Sequence, residues 1–100
     1  MDQNLTPQTI IRTLEEQKSV LRKYGVKKIG LFGSFLKRTT HKKSDIDLLV
    51  RFDEPTFDKY MELKFMLEKL FHRKVDLVIE GSLKPSLRYV KEEALYAKAI

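Results

Sequence analysis

The chain contains no cysteine. That absence removes a disulfide framework, a thiolate zinc site and a cysteine nucleophile together. Glycine and proline are scarce, at four and three residues, while 42 % of residues are apolar and 34 % charged, a balance unlike that of a disordered chain. No apolar run approaches the ~20 residues that cross a bilayer. The opening MDQNLTPQTI lacks the basic-then-apolar layout of a signal peptide. A soluble, cytoplasmic protein with no membrane partner is expected. One domain over residues 1–100 is also expected, because single domains typically run ~100–150 residues. His41 and His72 have no second histidine at ligand spacing and read as solvated surface residues.

What is abundant is positive charge: twenty Lys and Arg against fourteen Asp and Glu, a net +6. Such a balance favours polyanionic partners, whether nucleotides, nucleic acid or an acidic protein surface. Its distribution says more than its sum. Lys37, Arg38, His41, Lys42 and Lys43 fall within seven acid-free positions, just before the acidic pair Asp45 and Asp47. Cations gathered beside carboxylates suit a site that must hold both metals and phosphates.

Thr6-Pro7 has the form of an N-cap followed by proline in the first helical turn. Ile10, Leu14, Gln17 and Leu21 continue at helical spacing, and Gly25 is placed to close that helix. Val26 to Phe32 reads as a strand ending in Gly33-Ser34, and Asp45 to Phe52 (DIDLLVRF) as a second. Asp53 to Thr56 supply helix-start chemistry. Tyr60, Leu63, Leu67 and Leu70 then form a buried stripe, with Phe65 and Phe71 as core or interface rim. Val75 to Ile79 is a third strand. Pro85-Ser86 opens a last helix with Leu87, Val90, Ala94 and Ala97 on one side and Tyr89 and Tyr96 as packing residues. Strands alternating with helices imply an α/β chain, a small mixed three-stranded sheet with helices packed on it. The order is αβαβαβα, with a short helix in the basic segment after Gly33-Ser34.

Alternation along a strand puts Asp45 and Asp47 on one face and Ile46, Leu48 and Val50 on the other. Asp76 stands opposite in sense to Val75, Leu77 and Ile79. Neighbouring strands with their apolar faces on one side bring all three carboxylates together. Such charges repel unless a cation sits among them, and oxygen-only ligands select a hard ion such as Mg²⁺. Gly33 lets the backbone approach a ligand closely, with adjoining amides free to cradle phosphate oxygens and the Ser34 hydroxyl as a further donor.

At these residues the chain resembles the DNA polymerase β-like nucleotidyltransferase superfamily. Its pattern is a hydrophobic residue, Gly, Gly or Ser, about ten residues of spacer, then Asp-hydrophobic-Asp or Glu. LFGSFLKRTTHKKSDIDLLV fits that pattern. The chain is most similar to the minimal, MNT-type members, which are often encoded beside a HEPN-domain protein. The resemblance implies a nucleotidyltransferase fold, a triphosphate held by Gly33 and Ser34, and two Mg²⁺ ions bound by Asp45, Asp47 and Asp76 as catalytic residues. Asp76 would lie beside the attacking hydroxyl. Many MNT proteins follow Gly-Ser with x-Ala-Arg-Gly. Here Lys37 takes the place of the arginine and Arg38 that of the second glycine. Lysine keeps the charge but loses the planar two-pronged grip on phosphate, which Arg38 is placed to restore.

The function so implied is that of an antitoxin that moves AMP from ATP to a hydroxyl, a tyrosine's, of a partner HEPN toxin. The competing reading is a non-catalytic antitoxin that neutralises its partner by occlusion. AMP transfer to a small molecule, and direct nucleic-acid binding, rank below both, because the chain has little substrate-binding structure beyond the site itself.

Overall fold

The computed structural model describes residues 5–33, 45–98 and 100. The expected short helix of the basic segment, and with it Ser34, Lys37, Arg38, His41, Lys42 and Lys43, lies outside the described residues.

Helix α1 (Pro7–Glu16) begins where the sequence indicates. The Thr6 side chain accepts the Thr9 N–H at 3.1 Å, and the Thr9 hydroxyl accepts the Thr6 N–H at 2.8 Å, so two orphan donors are satisfied reciprocally. The helix does not run unbroken to Gly25. The Gln17 N–H is shared between Thr13 O and Leu14 O at 3.2 and 3.0 Å, a tightening that ends α1 and starts a second helix, α2 (Lys18–Lys23). Gly25, at φ +80°, then turns the chain into β1 (Val26–Phe32).

Strand β2 (Ile46–Phe52) pairs antiparallel with β1, and β3 (Val75–Ile79) pairs parallel with β2. The parallel pair is joined through α3 (Phe57–Phe71), the crossover that such a pair requires. Thr56 caps α3 by accepting the Lys59 N–H at 3.2 Å. His72 ends it in the left-handed conformation at φ 54°, exposed to solvent as expected. Phe71 is core, whereas Phe65 is 58 % exposed.

The sheet is mixed, as expected, but has four strands rather than three, in the order β3-β2-β1-β4. The difference arises in the last segment. Helical spacing of Leu87, Val90, Ala94 and Ala97 suggested one helix, yet the chain makes two 3₁₀ turns (Glu80–Ser82 and Pro85–Leu87) and a five-residue helix α4 (Tyr89–Glu93). It then lays β4 (Leu95–Tyr96) antiparallel along β1. The Ala97 N–H donates to Ile29 O at 3.0 Å and extends that pairing. Backbone groups along the open edge of β1 are thereby satisfied, a gain that five helical residues could not offer there.

The core lies on one face of the sheet. Ile29 and Leu31, Ile46, Leu48 and Val50, and Val75 and Leu77 pack against Ile10, Leu14 and Leu21 on one side and Leu63, Leu67 and Phe71 on the other. No helix of the described residues is long and apolar enough to cross a membrane.

Candidate active site

The second face of the sheet is composed differently. Register places Phe32 beside Asp47 and Asp47 beside Asp76, making one cross-strand row at the end of β1 and the start of β3. The next row, Tyr96, Gly30, Leu49 and Val78, is apolar. Leu49 and Val90 are buried, at 1 % and 9 % exposure, but belong to no part of the helix-covered core. Leu49 lies in this row and Val90 in the terminal segment, so the second face carries a thin layer apart from the main core. Tyr96 closes this layer: a Cβ on Gly30 would stand 2.7 Å from its ring, and Lys28 Nζ sits 4.1 Å from the ring centroid. Its hydroxyl donates to Lys91 O at 2.9 Å. Burial pushes the Tyr96 phenol pKa up, and the charge of Glu80 pushes it further. Tyr96 is therefore a strand residue over the sheet, while Tyr89 at the start of α4 is exposed.

Gly33 and Asp47 fit each other. Gly33 turns with φ +77°, and a Cβ there would fall on the Asp47 carboxylate, with Asp47 Cγ only 2.9 Å away. A glycine is needed twice over, for its left-handed backbone and for the space the carboxylate fills. The turn that ends β1 and the acid on β2 are thus one feature.

Of the three expected carboxylates, two are brought together. Asp47 and Asp76 are direct partners on adjacent parallel strands, which run about 4.8 Å apart. Asp45 stands exposed at the residue before β2. Among the described residues no group of three or more His, Asp or Glu side chains is gathered closely enough to hold a metal ion. The donor set nonetheless fits a hard dication: it is all oxygen, and like charges directly opposite one another on neighbouring strands are unfavourable until a cation lies between them. Gly33 is the one phosphate-binding candidate whose placement is described, and it lies beside the pair.

Of the residues behind Asp76, the sequence reading placed Tyr60 in the buried stripe and missed Lys64 and Glu68. Tyr60, Lys64 and Glu68 line α3 at four-residue spacing and contact the outer edge of β3. A polar line running beside the apolar Leu63 and Leu67 stripe was the available signal.

The chain is similar to known proteins of one family. Residues 14–98 match the family model described as Nucleotidyltransferase domain. The chain is 39 % identical over 94 residues to the protein adenylyltransferase MntA of Thermococcus cleftensis, covering 84 % of this chain and 95 % of that one. A solved structure assigned as a minimal nucleotidyltransferase superposes with a TM-score of 0.79 at 33 % identity, covering 94 % of this chain and 98 % of its own. An MNT antitoxin in complex with the tri-AMPylated HEPN toxin of Shewanella oneidensis shares the fold, with a TM-score of 0.66 at 22 % identity over 95 % of this chain and 74 % of that one. With the sheet, the Gly33 turn and the paired carboxylates in place, the chain belongs to the nucleotidyltransferase family, among its minimal, MNT-type members.

Proposed function

We propose that this protein is an antitoxin that transfers AMP from ATP to a hydroxyl, a tyrosine side chain, of a HEPN-domain toxin. The observation that carries the reading is the Asp47–Asp76 pair set against the Gly33 turn. An anionic pair beside a close-approach turn suits a substrate with a triphosphate at one end and a reacting hydroxyl at the other. The similarity to protein adenylyltransferase MntA supports the reaction class, and the AMPylated HEPN toxin held by a protein of the same fold supports the partner.

In this reading Asp45, Asp47 and Asp76 hold Mg²⁺, which when bound supplies charge neutralisation at the phosphates and lowers the pKa of an oxygen ligand. The chain's own residues do the rest. Gly33, with no side chain in the way, lets backbone amides approach the phosphate oxygens, and Ser34 adds a hydroxyl donor. Lys37 and Arg38 complete the phosphate grip. Asp76 lies on the exposed edge of the row, where the acceptor hydroxyl can reach it, and it favours loss of that proton. The acceptor oxygen bonds to the α-phosphorus, the bond to the bridging oxygen breaks, and pyrophosphate leaves. The polypeptide's net +6 charge draws in both the nucleotide and an acidic partner surface.

The test is partner mass after incubation with Mg²⁺ and ATP. The wild-type chain adds AMP to the toxin. Asp76→Asn still folds and still binds the toxin but adds no mass and gives no protection at native expression. Full protection by Asp76→Asn with unmodified toxin would decide for occlusion instead.

A further inference from the structure

Strand β3 is an edge strand of five residues, and it carries Asp76 directly opposite another carboxylate. Both facts work against it. Edge strands leave half of their backbone groups unpaired, and like charges in direct register favour splaying the two strands apart. Yet three backbone groups beside Asp76 on the outer edge, the Val75 N–H, the Val75 carbonyl and the Leu77 carbonyl, are each taken by a side chain of α3. The Val75 N–H donates to Glu68 Oε2 at 3.0 Å. Lys64 Nζ donates to Val75 O at 3.1 Å and to Glu68 Oε2 at 3.2 Å. The Tyr60 hydroxyl donates to Leu77 O at 2.6 Å. On the inner edge the Ile46 N–H donates to Lys74 O at 3.0 Å, so the strand start is gripped from both sides.

Resting on the reading of Asp76 given above, we propose that Tyr60, Lys64 and Glu68 are positioning residues: a three-point clamp from α3 that holds the β3 backbone so that the Asp76 carboxylate stays opposite Asp47. The residues are spaced i, i+4, i+8, so one line of α3 runs along the strand edge. Their chemistry matches the groups they meet. An anion receives the N–H, and a cation and a hydroxyl serve the two carbonyls. Helix support does not explain the Lys64–Glu68 pair, because lysine preceding glutamate by four residues is the weaker orientation for a helix ion pair. The Val75 N–H holds the Glu68 carboxyl below its ordinary pKa, and Lys64 adds to that against the opposing effect of burial. A charged acceptor thus grips the amide next to Asp76 throughout the neutral range.

The experiment reads affinity for Mn²⁺ with the non-hydrolysable analogue α,β-methylene ATP by calorimetry on the full chain, alongside amide hydrogen exchange at Val75 and Leu77. Glu68→Ala and Lys64→Met are expected to weaken Mn²⁺–nucleotide binding about tenfold, the usual scale for residues that orient metal ligands from behind. Exchange at Val75 should quicken by a similar factor. Glu68→Gln keeps an acceptor for the Val75 N–H and should recover most of the affinity, which loss of general stability would not produce. Asp76→Asn serves as the reference. Lost affinity in Asp76→Asn with undiminished affinity in Glu68→Ala and Lys64→Met would reduce the clamp to edge protection and overturn the proposal alone. Undiminished affinity in Asp76→Asn would remove Asp76 from the site, and the clamp's role with it.

Discussion

Leu48 and Asp47 are adjacent in β2, and they belong to two different proteins, in effect. On Leu48's side Ile29, Leu31, Val50 and Leu77 are at most 2 % exposed beneath three helices. On Asp47's side the same strands carry a carboxylate pair, a glycine turn and a thin layer closed by Tyr96. The helix-covered face holds the fold together, which frees the other face to gather like charges that a core would not tolerate. The division is a consequence of strand alternation alone: one residue forward or back exchanges stability for chemistry.

The widest separation should appear between those two neighbours. Leu48→Ala removes a fully buried side chain from the packed face and should cost about 2–5 kcal/mol of unfolding free energy. Asp47→Asn, an isosteric change at a half-buried position, should cost far less stability than Leu48→Ala while abolishing nucleotide transfer. Denaturant titration of both variants checks this, and equal destabilisation would erase the distinction between the faces.

A smaller and mixed effect is expected at Gly33, where the two kinds of constraint meet. Gly33→Ala forces a Cβ into the left-handed region and onto the Asp47 carboxylate. The backbone penalty is about 1–2 kcal/mol. Displacing the carboxylate should add a loss of nucleotide affinity larger than the loss of stability implies. Thermal melting and ATP calorimetry on the same sample separate the two. Unchanged affinity would make the turn a structural one only.

Much of this was legible from residues. The capping of α1 by Thr6, the turn at Gly25, all three long strands and the common face of Asp47 and Asp76 follow from propensity and alternation. Two kinds of feature were not legible. The Gln17 break is a local tightening that helical spacing does not mark, and strand β4 depends on tertiary pairing: Leu95 and Tyr96 are too few for a strand pattern, and Val90, Ala94 and Ala97 happen to fall at helical spacing. The side chains from α3 behind Asp76 were hidden for another reason. Lysine and glutamate on a helix ordinarily face solvent, and only the docking of α3 along β3 shows that they serve the strand edge. Asp45 lies exposed at the residue just before β2, so strand alternation, and not pairing with β3, is what relates it to Asp47.

The central claim is that the carboxylates of the open face carry out the transfer and contribute little to the fold. The most direct measurement is labelling of the toxin from α-labelled ATP by the double variant Asp45→Asn with Asp47→Asn, with thermal melting recorded on the same preparation. The expected result is no label above background and a melting midpoint matching the wild-type chain. Near-normal labelling by that variant would contradict the assignment of chemistry to this face.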